Sequence, residues 1–147
     1  MSTVSNATPL VALSRVGRLE LLRDLYVEIL IPRAVHEELV VRGQGQAGAD
    51  SIRSLVAGLR AAGLGVGEAE ALALSRETSS TCLTDDQAGI EAARRLGVPI
   101  QRTLRVLLNA KNQGLVAHVI PILEALRKSS FWIDDATYER VRKLAGE

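Results

Sequence analysis

The sequence predicts a single α/β domain over residues 1–147, with a central, mostly parallel sheet covered by helices on both faces. Three observations carry that expectation. Short apolar runs alternate with helical segments along the chain, as in strand–helix–strand units. The run 27–31 is mostly apolar rather than alternating, as a strand covered on both faces should be. Polar residues directly follow two of the runs, Asn6 after the first and Asp85-Asp86 after a later one. Open parallel sheets place their binding sites at such carboxyl ends.

The elements follow in order. Thr3, Val4 and Ser5 read as a strand that stops at Asn6. Thr8 is the expected N-cap of the first helix, with Pro9 in its first turn and Leu10, Leu13 and Val16 at helical spacing. Gly17 breaks it, and Leu19, Leu21, Leu22 and Leu25 form a second short helix. Residues 27–31 make the second strand. Pro32 opens a helix whose buried stripe is Val35, Leu39 and Val40. Residues 43–48, rich in Gly and Gln, are linker-like, and 50–62 read as another amphipathic helix. Gly63, Gly65 and Gly67 mark a turn before a helix over 68–76. A strand over 80–83 leads to a helix over 87–96 stopped by Gly97. A short strand over 98–100, a helix over 103–111 stopped by Gly114, and helices over 119–127 and 134–144 complete the chain.

Composition removes several function classes. Of the 147 residues, 47% are apolar and 24% charged, which suits an ordinary globular core. The single Cys leaves no intrachain disulfide framework and no Cys-based zinc site, so Cys82 reads as an inert core residue. No apolar run reaches the roughly 20 residues that span a bilayer. The N-terminus lacks a signal-peptide pattern, so a soluble cytoplasmic protein is expected. A net charge of +1 supplies no global field, and nucleic-acid contacts would have to come from a local patch. The aromatics are Tyr26, Phe131, Trp132 and Tyr138. So few argue against a base-stacking platform. Phe131 and Trp132 are expected to pack the C-terminal helices onto the body, whereas an exposed Trp would mark a dimer face.

Each acidic position has two readings. Asp85 and Asp86 can cap the following helix or ligate a metal at the strand end, and one residue of the pair can do each. Glu68 and Glu70 lie in a first helical turn, where acids favour the macrodipole; residues two apart do not share a face, so one of them at most points into a pocket. The small neighbours Ala69, Ala71 and Ala73 would leave room for a cleft. Glu37, Glu38 and His36 sit in the helix after Pro32, where a solvated face is the plain alternative. Asn6 can close an Asx-turn, offer a neutral oxygen ligand or hold a water. A phosphate-switch receiver would want a Lys near the acids at a late strand end, where this chain has Ile100-Gln101-Arg102-Thr103.

The order of these positions resembles the PIN domain family of metal-dependent nucleases, and in particular the branch related to VapC-type toxins. The matching stretches are Val4-Ser5-Asn6-Ala7-Thr8-Pro9-Leu10, Leu30-Ile31-Pro32-Arg33-Ala34-Val35-His36-Glu37-Glu38-Leu39, Gly67-Glu68-Ala69-Glu70-Ala71-Leu72-Ala73-Leu74 and Leu83-Thr84-Asp85-Asp86. Gly97-Val98-Pro99 and the helices around Phe131-Trp132-Ile133 continue the likeness over nearly the whole chain. The resemblance implies a three-layer α/β/α PIN-like fold and a four-acid pocket falling on Asn6, Glu38, Glu68 and Asp86, with Asp85 and Glu70 as secondary positions. Catalysis would rest on Glu38, Glu68, Asp86 and Asp85, with Mg²⁺ or Mn²⁺ as cofactor. Thr84 would orient a ligand or water, and Arg102, Arg105 and Lys111 would contact RNA phosphates. The implied partners are an RNA substrate, a cognate antitoxin and a second copy of the chain, with no membrane. The family most often has Asp where this chain has Asn6, which predicts lower metal affinity. The alternative implied by that departure is a non-catalytic PIN-like module that binds RNA or protein.

Overall fold

The computed structural model describes residues 2–26, 28–33 and 65–147. Its described elements are β1 (Thr3–Ser5), α1 (Ala7–Arg15), α2 (Glu20–Leu25), β2 (Ile29–Leu30), α3 (Val66–Thr78), β3 (Thr81–Leu83), α4 (Gln87–Leu96), β4 (Ile100–Gln101), α5 (Thr103–Asn112), α6 (Ile120–Lys128) and α7 (Asp135–Ala145). The four strands are all parallel in the order β2-β1-β3-β4, and helices cover both faces, so the architecture is a three-layer α/β/α domain. The helices expected after Pro32 and over 50–62 lie outside the described residues.

Alternation along β3 splits the interior into two layers. Leu83 points to a layer of large aliphatic side chains that includes Leu13, Leu107, Leu123 and Leu126 from α1, α5 and α6. Val4 and Cys82 point to the other layer, where Ala69, Ala71, Leu72, Ala92 and Ala93 of α3 and α4 press on the sheet. Burial pushes the Cys82 thiol up to about 11, against a weaker opposing hydrogen bond with Ser75, so it stays protonated at neutral pH. Ala69, Ala71 and Ala73 are fully buried, so the small residues bring α3 close to its neighbours and do not leave an empty cleft.

Helix ends explain where the elements depart from expectation. The N-cap of α1 is Asn6, not Thr8, because the Asn6 side chain accepts from the Ala7 N–H at 2.6 Å. The end of α4 is a Schellman closure: Gly97 sits at φ 70°, and the N–H groups of Gly97 and Val98 return to the carbonyls of Arg94 and Ala93. With the Val98 N–H committed there, β4 starts later than expected, at Ile100. At the last helix, Asp134 is the N-cap, accepting from the Thr137 N–H at 2.7 Å.

Candidate functional site

Parallel register sets the first two residues of the site side by side. Ser5 pairs with Leu83, so Asn6 and Thr84 leave the carboxyl ends of β1 and β3 together, and the Asn6 N–H donates to the Leu83 carbonyl at 3.0 Å. The Asn6 side chain is buried. Its oxygen must face the Ala7 N–H, which can only donate, and this fixes the orientation of the amide. The NH₂ group therefore faces the other way, donating to Glu68 Oε1 at 3.2 Å and to Thr84 Oγ1 at 3.3 Å. Thr84 Oγ1 also accepts from the Asp86 N–H at 3.2 Å. Two incoming bonds leave the Thr84 hydroxyl proton available to a further acceptor.

Each carboxylate is positioned by a helix start. Glu68 is the third residue of α3 and folds back over the beginning of its own helix; a Cβ on Gly65 would collide with its Oε2. Asp86 caps α4, with Oδ2 accepting from the Gly89 N–H at 2.7 Å. Asp85 turns the opposite way. Its oxygens accept from the Thr103 N–H at 3.0 Å and the Thr103 hydroxyl at 2.5 Å, so it caps α5 from outside that helix. Burial raises the Asp85 carboxyl above its ordinary range, and the two Thr103 bonds and the Arg102 charge offset part of that rise.

The structure thus joins Glu68, Asn6, Thr84 and Asp86 in one hydrogen-bonded chain. Asp85 lies beside that chain but serves a different helix. Glu70 is half-buried and about 200° around α3 from Glu68, and among the described residues it is Glu68 that meets Asn6. Glu38, with Glu37 and His36, lies outside the described residues. Arg102 and Arg105 are exposed at the start of α5, where both line a groove. Lys111 is not with them: near the other end of α5 its ammonium donates to the Ala145 carbonyl at 2.5 Å and stands 3.7 Å from Glu147. Its geometry ties α5 to the end of α7 and gives it no place beside the acids. The sequence reading missed Thr103 and Gly65. A hydroxyl residue just after a strand end is a cap signal that could have found Thr103.

A family model described as a PIN domain matches residues 2–147. The chain belongs to the PIN domain family. No curated protein and no solved structure matches it. Membership places the chain among nuclease-type folds, and the acids of this PIN domain sit by the carboxyl ends of the central strands β1 and β3, where an open parallel sheet gathers its ligands. Among the described residues, no group of three or more His, Cys, Asp or Glu side chains is close enough to hold a metal ion. Mg²⁺ needs less than that from a protein, since it keeps several waters and takes one or two carboxylates beside substrate phosphates. Glu68 and Asp86, each held at a helix start, are hard oxygen donors of that kind. The Asn6 NH₂ has the opposite polarity, donating to Glu68 where a cation would seek an oxygen. No described helix of this PIN domain is long and apolar enough to cross a membrane.

Proposed function

We propose that this PIN domain is a metal-dependent ribonuclease whose cofactor is Mg²⁺ or Mn²⁺, with Glu68 and Asp86 as its carboxylate ligands and Glu38 completing the set by family resemblance. The observation that supports this reading is the hydrogen-bonded chain from Glu68 through Asn6 and Thr84 to Asp86 at the carboxyl ends of two adjacent parallel strands. When bound, the cation supplies water activation and charge neutralisation at the phosphate. The chain's own groups do the positioning. The Gly89 N–H locks one Asp86 oxygen and leaves the other to act. The Thr84 proton is set to hold a phosphate or water oxygen. The Arg102 guanidinium, 3.4 Å from the Asp85 carbonyl, offers positive charge close by.

The test is calorimetric titration of Mn²⁺ into wild type and Asp86→Asn, with cleavage of a mixed RNA pool alongside. Asn caps a helix as well as Asp does, so this variant removes the charge and keeps the cap. Metal affinity and cleavage should both fall by more than about tenfold. No binding to wild type at millimolar metal would overturn the reading.

A second reading is favoured by one specific contact. The Asn6 side-chain NH₂ already compensates Glu68, as a cation would, which suits a PIN domain that binds RNA or protein without cutting. Asn6→Asp separates the two: metal binding that appears only in this variant would identify the wild type as non-catalytic. The toxin form of the ribonuclease reading adds a cognate antitoxin, tested by a short gene directly upstream. It also adds a homodimer, tested by light scattering.

A further inference from the structure

A groove of about 670 Å³ lies beside the acidic site, between α5, α7 and the segment that joins α6 to α7. Thr8 and Asp85, near neighbours in sequence of Asn6 and Asp86, are among its lining residues, so the groove reaches the surroundings of the acidic site. Its walls carry three guanidinium groups. Arg102 is the N-cap of α5 and Arg105 its third residue, both lining the groove, and Arg140 lines it from α7. Two carboxylates also line it, Asp85 and Asp134, and both already accept helix-capping bonds. Arg140 acts on Asp134 at a distance, while neither Arg105 nor Arg140 forms an ion pair among the described residues.

The last wall is Trp132, the only Trp of the chain, whose surface is 86% exposed. Its exposure does not come from a loose segment. Ser130 takes the left-handed conformation at φ 72°, the Phe131 N–H donates to the Leu126 carbonyl at 3.1 Å, and Arg127 holds the Ile133 carbonyl at 3.2 Å. Phe131 packs against the large-side-chain layer and Ile133 is buried in it, so the chain is anchored on both sides of a bare indole. The expectation that Trp132 packs the C-terminal helices onto the body is therefore corrected: Phe131 packs there, and Trp132 faces outward.

Planar guanidinium forks match phosphates, and an exposed indole face matches an unpaired base. A duplex keeps its base faces stacked inside, so a ligand that uses both features is single-stranded. We propose that this groove is the track for single-stranded RNA entering the acidic site, with phosphates on Arg102, Arg105 and Arg140 and one base stacked on Trp132. It is a single stacking position rather than a platform. The track rests on the RNA-acting reading of the site but requires binding alone, not cleavage.

Trp132 is its own reporter. A short single-stranded RNA is titrated into the full chain in EDTA, reading tryptophan fluorescence, with labelled-RNA anisotropy for variants that lack the indole. Saturable quenching is expected. Trp132→Ala should weaken binding about 5- to 100-fold, with Trp132→Phe restoring most of it. Replacing all three arginines by Ala should reduce the log–log salt slope by about 2. Circular dichroism checks that the triple variant folds; Trp132→Ala, at an exposed position, carries the test if it does not. RNA binding without quenching, or binding unchanged in Trp132→Ala, overturns the track. So does a fluorescence change that follows protein concentration alone, which would make this face a dimer contact. Quenching by an acidic peptide but not by RNA overturns it in favour of a protein partner. Quenching without any cleavage by wild type leaves the track and removes the ribonuclease reading. Cleavage undiminished in Trp132→Ala and in the arginine variant does the reverse.

Discussion

The two faces of the sheet are built from side chains of different size. On one, Leu13, Leu83, Leu107, Leu123 and Leu126 fill a thick layer beneath α1, α5 and α6. On the other, alanines predominate, with Ala69, Ala71, Ala92 and Ala93 joined by Leu72 in a thinner layer beneath α3 and α4. Large aliphatic side chains remove the most surface from water, so of the two layers the thick one contributes more of the folding free energy. Small side chains allow a helix to lie close to the strands. That closeness brings Glu68 within 3.2 Å of Asn6 at the end of β1. Stability and site geometry are therefore concentrated on opposite faces, and substitutions can set one against the other.

The largest effect is expected on the thick face. Leu107→Ala should cost about 2–5 kcal/mol in urea denaturation while leaving Mn²⁺ affinity within about twofold of wild type, because additivity holds for sites that share no partner. An equal loss of metal binding would break the division between the faces.

On the thin face, Ala71→Val should cost about 1–3 kcal/mol by overpacking. Its second consequence separates the two layers. Pushing α3 outward should lengthen the Glu68–Asn6 contact and weaken Mn²⁺ binding out of proportion to the loss of stability, read by calorimetry at a temperature where the variant remains folded.

The C-terminal helices offer a polar control far from the acids. Glu147 accepts from the N–H groups of Val119 and Ile120, lies 3.0 Å from His118 Nδ1, and faces Lys111 at 3.7 Å. Burial pushes its carboxyl up, but these bonds outweigh it and leave the group below its ordinary range. A depressed acid contributes stability above its unfolded value and loses it as pH falls through the folded one. Glu147→Ala should therefore cost about 1–2 kcal/mol at neutral pH, should cost least in acid, and should leave the acidic site untouched.

The smallest effect, a slope rather than an offset, belongs to Asp85. Its carboxyl is raised, chiefly by burial, so the proton-linked stability is fully present below the unfolded value and declines as pH rises through the folded one. The stability difference between wild type and Asp85→Asn should fall over that window and then level off, as followed by denaturation at stepped pH. A flat difference would mean that Asp85 titrates as it does in the unfolded chain.

Much of the fold could be read from local signals. Gly97 and the Asp pair bound α4 as expected, and Asn6 and Asp86 stand at strand ends where chemistry was sought. Three readings failed for reasons that lie beyond their own segments. The alanines of α3 were expected to open a cleft, and they close a helix onto the sheet. Lys111 was expected on phosphate, and the end of α7 claims it. Trp132 was expected to pack the C-terminal helices onto the body, and the contacts of its neighbours with the end of α6 turn it outward.

By itself, then, the sequence determined which segments of the described residues form strands and helices, because periodicity and capping act over a few residues. It also placed its polar residues at the strand ends. Only the tertiary structure decided which way each of those polar groups turns. Buried polar groups are costly to leave unpaired, and for Asn6, Asp85 and Lys111 the partners come from whichever element the packing brings alongside.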